Sequence, residues 1–271
     1  MMINNDNNND NNNNALKNEK QKVDLNCDLG ESFGAWKMGD DEAILPLISS
    51  ANIACGFHAG DFDTMRKTVE LALDYEVAMG AHPGLPDLQG FGRRNMAITP
   101  KEAYNMVVYQ VGALQGFIRA LGGKLHHVKP HGALYNMAAT NESLALAIAH
   151  AIADVSQGEA ILYGLSGSAL IRAGREVGVP VMNEVFADRT YQTDGTLTPR
   201  IDANALITDH KDSIAQVLQM VESNAVTTVT GEVIALEADT ICVHGDGASA
   251  LQFVEEIRQT FKKRKILISA D

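Results

Sequence analysis

One unit recurs along this chain and restricts its fold more than any other feature. It is a short apolar strand, then a glycine-bearing turn with a charged or imidazole side chain, then a helix. Residues 51–55, followed by Gly56, His58, Gly60 and a helix opening at Asp61, show the unit most fully. By the same pattern strands are expected at 23–28, 77–81, 125–131, 160–164, 180–185 and 240–243. Helices are expected over 40–48, 61–75, 99–121, 141–153, 167–177 and 213–223, with a last one running to about residue 262. About seven such units with no hairpin signal predict an α/β fold with a parallel sheet. Thr99, Pro100 and Glu102 spell a capped helix start, because the hydroxyl and the carboxylate each satisfy an otherwise orphaned backbone N–H.

The ends of the strands decide between the two parallel architectures. In a closed barrel all C-terminal ends converge on one mouth. In a doubly wound sheet only the strands at the switch point share a site. Here polar residues stand at most strand ends, which predicts a (β/α) barrel of about seven parallel strands. Residues 23–28 add to this. Val23, Leu25 and Cys27 share one face, and Asp24, Asn26 and Asp28 the other, because side chains alternate along a strand. A polar inner face reads either as a polar pocket or as an edge strand with one wet face.

Residues 1–21 form a separate tail, and 22–271 are expected to make a single barrel domain that carries the chemistry. Residues 4–14 are all Asn or Asp, which cannot bury enough apolar surface to offset ordering, so the tail is expected to be disordered. The net charge of −12 argues against nucleic-acid binding through a basic face. No apolar run approaches the roughly 20 residues of a membrane span, and no secretory signal is recognisable. Cys27, Cys55 and Cys242 are odd in number and widely spaced. That suits a cytoplasmic protein without a disulfide framework, with the thiols as small core residues rather than nucleophiles.

The residues expected at the mouth are Asp28, His58, His82, Lys129, His131, Glu184, His244 and Asp246. Taken singly, each has a structural reading as a hydrogen-bonded strand end. Together they leave three chemistries open. Asp28 and His58 could hold a divalent metal whose water becomes a nucleophile, although no HExxH or local Cys/His cluster is present. Aspartate and histidine could form a general acid–base pair. Lys129 could stabilise an oxyanion or phosphate, or be the buried ion-pair partner of Asp28 or Glu184. There is no GxxxxGK[ST] loop. Gly245, Asp246 and Gly247 instead join the last strand to a helix start, where backbone N–H groups favour an anion.

The blocks VDLNCDLGESFG, NIACGFHAGD, GAHPGLPDLQGFGRR, VKPHGALYN, EVFADRTY and VHGDG follow in this order over residues 23–247. Together they closely resemble the LamB/YcsF family, over nearly everything after the Asn-rich tail. The resemblance implies a seven-stranded barrel similar to the glycoside hydrolase/deacetylase barrels. It also implies ATP-dependent hydrolytic opening of the lactam 5-oxo-L-proline (pyroglutamate) to L-glutamate, with ADP and phosphate released and two partner subunits, B and C. Within that reading Asp28 or His58 activates water or holds a metal, and Lys129 and His131 face the lactam oxygen. Glu184 orients one of these, and Asn26 and His82 contact substrate. Arg93 or Arg189 pairs with the substrate carboxylate, while His244, Asp246 and the adjoining glycines meet phosphate or act as acid. The rival readings are a metal-dependent deacetylase-like amidase and a non-catalytic lactam-binding subunit.

Overall fold

The computed structural model describes residues 21–243 and 250–271. The expected strands close on themselves. β1 (Lys22–Leu29), β2 (Ser50–Ala54), β3 (Ala78–His82), β4 (Leu125–Val128), β5 (Ile161–Leu165) and β6 (Val181–Phe186) pair in succession, all parallel. A last barrel strand, Thr240–Val243, pairs with both β6 and β1 and completes a seven-stranded barrel. Helices cover the outside: α1 (Asp41–Ile44), α2 (Phe62–Asp74), α3 (Pro100–Ala120), α4 (Gly132–Thr140), α5 (Glu142–Ser156), α6 (Ala169–Val177), α7 (His210–Ser223) and α8 (Ala250–Arg264). The capping box expected at α3 is present: Glu102 N–H donates to the Thr99 hydroxyl, and Thr99 N–H to the Glu102 carboxylate.

The barrel is apolar outside and polar within. Leu25, Ala51, Ile53, Val185 and Ile241 are fully buried between strands and helices, and this layer carries the hydrophobic stabilisation. The opposite parity points inward, and in β1 it consists of Asp24, Asn26 and Asp28. Their interior hydrogen bonds remove the edge-strand reading of residues 23–28. Asp24 accepts from the hydroxyls of Ser49, Ser50 and Thr240 at 2.5, 2.8 and 2.5 Å. Gly80 also faces in, and His127 occupies the space its side chain would take, since a Cβ there would lie 2.1 Å from His127 Nε2.

Several expected boundaries move for identifiable reasons. The helix expected over 40–48 ends as α1 and becomes a 3₁₀ turn at Leu45–Leu47, because Pro46 has no N–H to continue it. The strand expected over 125–131 stops at Val128, since Pro130 cannot donate to a ladder. Helix α4 follows directly, where no helix is expected from the sequence. The hairpin-free expectation also fails: Ala225–Thr227 (β7) and Val233–Ala235 (β8) pair antiparallel outside the barrel, so Thr240–Val243 is β9. A short β10, Leu267–Ile268, extends the start of β1. The Asn-rich tail, apart from Gln21, lies outside the described residues. Among those described, no helix is long and apolar enough to cross a membrane.

Candidate active site

A cavity of about 590 Å³ opens at the C-terminal end of the barrel, within the size range of small-molecule sites. Asp28, His82, Lys129 and His131 line its floor, and Arg93, Arg189, Thr198 and Arg200 lie around its wall. Asn26 and Glu184 lie just beneath, where they contact Lys129.

Lys129 is the hub. It stands one residue past β4, yet its N–H still donates to the Ala81 carbonyl at 2.9 Å, which directs the side chain into the barrel. Its ammonium lies 2.8 Å from Asp28 Oδ1 and 2.8 Å from Glu184 Oε1. It also donates to Asn26 Oδ1 at 3.2 Å and to Cys242 Sγ at 3.1 Å. The ion pair considered as a structural reading of Lys129 is therefore present, with both carboxylates at once. Burial alone would lower the ammonium pKa; the carboxylates of Asp28 and Glu184 outweigh it and hold the pKa well above the usual lysine value. Cys242 is buried, as expected of a core thiol, but faces the site rather than the helices. Burial pushes its pKa well up, so the sulfur meets Lys129 as a neutral acceptor.

Three imidazoles then rise from this ion pair. Asp28 Oδ2 lies 3.2 Å from His82 Nε2, and His82 Nε2 lies 2.9 Å from His131 Nδ1. His131 caps α4 from an extended backbone, and its N–H bonds the Pro83 carbonyl at 2.8 Å. His58, from the turn after β2, lies parallel on His131 with centroids 3.6 Å apart. Glycines make room for this stack. A Cβ on Gly84 would come 2.6 Å from His58 Nδ1, and one on Gly92 would come 2.6 Å from His58 Cβ and 2.9 Å from His131 Cδ2. Gln110 of α3, fully buried, pins Gly84 through both its N–H and its carbonyl at 2.9 Å. Burial, reinforced by their neighbouring imidazoles, lowers the pKa values of His58 and His131 well below the usual histidine value. Neither His58 nitrogen has a hydrogen-bond partner among the described residues; Glu31 Oε1 lies 3.5 Å from its Nε2.

The expected residues are thus brought together, with two qualifications. Arg189 lines the cavity, but its Nε and Nη2 donate to the carbonyls of Ala205 and Thr198 at 3.2 and 2.6 Å. Part of its fork therefore holds the wall of the cavity. Burial and the nearby Arg200 lower its pKa to about 10. His244, Gly245, Asp246 and Gly247 lie outside the described residues. Sequence reasoning missed Glu31, Asn52 and Tyr135. Asn52 donates to Asn26 and Asp28 at 2.7 and 2.8 Å, and strand parity with Ser50 was a usable signal. Tyr135 lies against Glu184, and burial followed by that carboxylate raises its phenol well above the usual value. Its place one turn after His131 could be recognised only once α4 was known. Glu31 joins His58, His82 and His131 in a group whose donor atoms all lie within 4.8 Å of one another. Such a group could hold a metal ion, and it contains His58 of the expected pair but not Asp28.

Comparison with known proteins places this arrangement. The LamB/YcsF family matches residues 23–270. A protein from Brevibacillus brevis, named as the A subunit of 5-oxoprolinase, is 60% identical over 248 residues, covering 92% of this chain and 97% of that one. Its namesake from Bacillus subtilis strain 168 is 58% identical over 249 residues, covering 92% and 96%. The crystal structure of a lactam utilization protein from Thermus thermophilus superposes with a TM-score of 0.86 at 43% identity, over 92% of this chain and all of the other.

Proposed function

The chain belongs to the LamB/YcsF family, and from that premise we propose that it is the A subunit of a cytoplasmic, ATP-dependent 5-oxoprolinase. Residues 22–271 would form its single catalytic domain, and it works with two partner subunits, B and C. The observation that carries the reading is 58–60% identity along nearly the whole length of proteins that bear this subunit's name. The site's chemistry supports it. A five-membered lactam is a stable amide, and transfer of the ATP γ-phosphoryl group to its oxygen makes the ring carbon electrophilic. Water adds to that carbon, the ring C–N bond breaks as the nitrogen takes a proton, and an acyl phosphate remains. A second water releases glutamate and phosphate, so one ATP and two waters are consumed.

In this reading Lys129, charged and fixed by Asp28 and Glu184, faces the lactam oxygen, where negative charge collects. Asn26 holds Lys129 in place from beneath. His131 and His82 face the substrate from the floor of the cavity. His58 is assigned as the base for water, its neutral form favoured by burial and the adjoining imidazoles. Arg93 meets the substrate carboxylate as a fork of donors, and Arg189 contributes the part of its fork not spent on backbone. His244, Gly245, Asp246 and Gly247 are assigned to the phosphoryl group. A divalent cation among the imidazoles is the remaining component. The test is glutamate release from 5-oxoproline by the chain alone and with both partners, with and without ATP. Turnover only with partners and ATP is expected. Turnover by the chain alone without ATP would replace this reading with an autonomous amidase.

A further inference from the structure

The hydrogen bonds around His82 and His131 assign a tautomer to each ring. His82 Nδ1 lies 2.7 Å from the Lys129 carbonyl. A carbonyl only accepts, so Nδ1 carries the hydrogen and a neutral His82 has its lone pair on Nε2. His131 Nε2 lies 2.8 Å from the Phe91 carbonyl, which by the same reasoning leaves the His131 lone pair on Nδ1. Those two lone-pair atoms are the ones that face each other at 2.9 Å. Two lone pairs cannot bond to one another; a proton or a cation must lie between them. The carboxylates beside them favour positive charge, with Asp28 Oδ2 at 3.2 Å from His82 Nε2 and Glu31 within the same cluster of donor atoms.

We infer that His82 Nε2 and His131 Nδ1 are ligands of a divalent transition-metal cation, completed by carboxylate oxygen from Glu31 or Asp28. Each ring then donates its other N–H to a backbone carbonyl, the arrangement that orients metal-bound histidines. An ion about 2.1 Å from both nitrogens would subtend roughly 90° between them, which suits five or six ligands. Imidazole with carboxylate selects Zn²⁺ or Mn²⁺ over Mg²⁺ or Ca²⁺. His58 is not a ligand in this arrangement. Its ring is parallel to His131, 3° between planes and 3.6 Å away, so an ion in the plane of His131 lies outside the plane of His58. The two His58 nitrogens, which lack hydrogen-bond partners among the described residues, can bond a further ligand of the ion. The cation belongs to the proposed lactamase chemistry, but its site rests on these hydrogen bonds and not on the substrate.

The test is metal stoichiometry and affinity of the untagged full chain, stripped with chelator and dialysed against Zn²⁺, Mn²⁺ or Mg²⁺, with no substrate or ATP present. Its failure is therefore separable from failure of the lactamase reading. The expected result is one Zn²⁺ or Mn²⁺ per chain and much weaker Mg²⁺. Affinity should fall on the order of 100-fold or more in His82→Gln and His131→Gln, and remain in His58→Phe. Nitrogen-15 spectra of the unaltered chain provide a check independent of variant folding, with metal shifting His82 Nε2 and His131 Nδ1. No retained ion, retention unaffected by either glutamine change, or a proton between the two nitrogens that metal does not displace would overturn the assignment.

Discussion

Two levels of the barrel interior use the same residue types to different ends. In the lower level Asp24, Ser50, Thr240, Asn52 and His127 are buried and bonded to one another. Asp24 takes three hydroxyl donors, and His127 bonds Asn52 at 2.8 Å while stacking on Tyr163. At the mouth, Asp28, Lys129, His82 and His131 are nearly as buried, yet His82 Nε2 faces His131 Nδ1 at 2.9 Å while each ring's other nitrogen lies on a backbone carbonyl, and His58 has no hydrogen-bond partner among the described residues. Burial of polar groups is tolerated when they are satisfied and costly when they are not. The lower level is therefore structural filling in place of the aliphatic layers usual in barrels, and the mouth keeps unmet capacity for a ligand.

Substitutions at the two levels should separate these roles. Lys129→Met should have the largest effect, because it leaves Asp28 and Glu184 buried without their cation. We expect a loss of about 3–5 kcal/mol in unfolding free energy and a fall in turnover of roughly 10²–10³-fold, read by denaturant titration and by glutamate release from the assembled complex. A stable, active Lys129→Met protein would erase the distinction between the levels. His58→Phe should lower turnover by about 10²-fold or more with a melting temperature unchanged or raised, since it removes nitrogens without a partner among the described residues and keeps the stack on His131. Loss of stability in that variant would mean His58 is structural after all.

The opposite pattern is expected below. Thr240→Val removes a donor to Asp24 and an acceptor from Asn26 at 2.7 Å, and should cost about 1–3 kcal/mol with turnover per folded molecule unchanged. The smallest effect is on pH dependence. Burial, then His126, Lys129 and His82, hold the His127 pKa well below the usual value. Below about pH 6.5 the unfolded chain takes up a proton that the folded chain refuses. Its stabilising contribution is thus complete above that pH and lost as pH falls toward the folded pKa. Stability curves for the unaltered chain and His127→Gln should converge on the acid side. Parallel curves would mean that His127 takes up its proton in the fold as readily as in the unfolded chain.

How much of this was legible depends on the range of the cause. The period of two placed Asp24, Asn26 and Asp28 on one face, and the repeated strand–turn–helix unit placed their C-terminal ends at one mouth. Residues 51–55 and 240–243 read as strands from local pattern alone, and β2 and β9 lie there, with β2 displaced by one residue toward the N-terminus. The β7–β8 hairpin was missed because its turn, 228–232, lacks an Asn-Gly or Asp-Gly pair and its strands are three residues long. Helix α4 was missed because His131 and Gly132 open it without a Ser, Thr or Asp cap.

By itself the sequence determined the parallel α/β architecture, the polar inner face of β1 and the cast of residues near the mouth. Each of these follows from alternation, capping and turn chemistry acting over a few residues. Only the tertiary structure decided that Lys129 pairs with Asp28 and Glu184 together, that Cys242 turns toward it, and that His82 and His131 meet through Nε2 and Nδ1. Those contacts join turns and strands far apart in the chain, and they depend on barrel closure, on the register of β9 against β1 and on the space left by Gly84 and Gly92. No local pattern encodes that space.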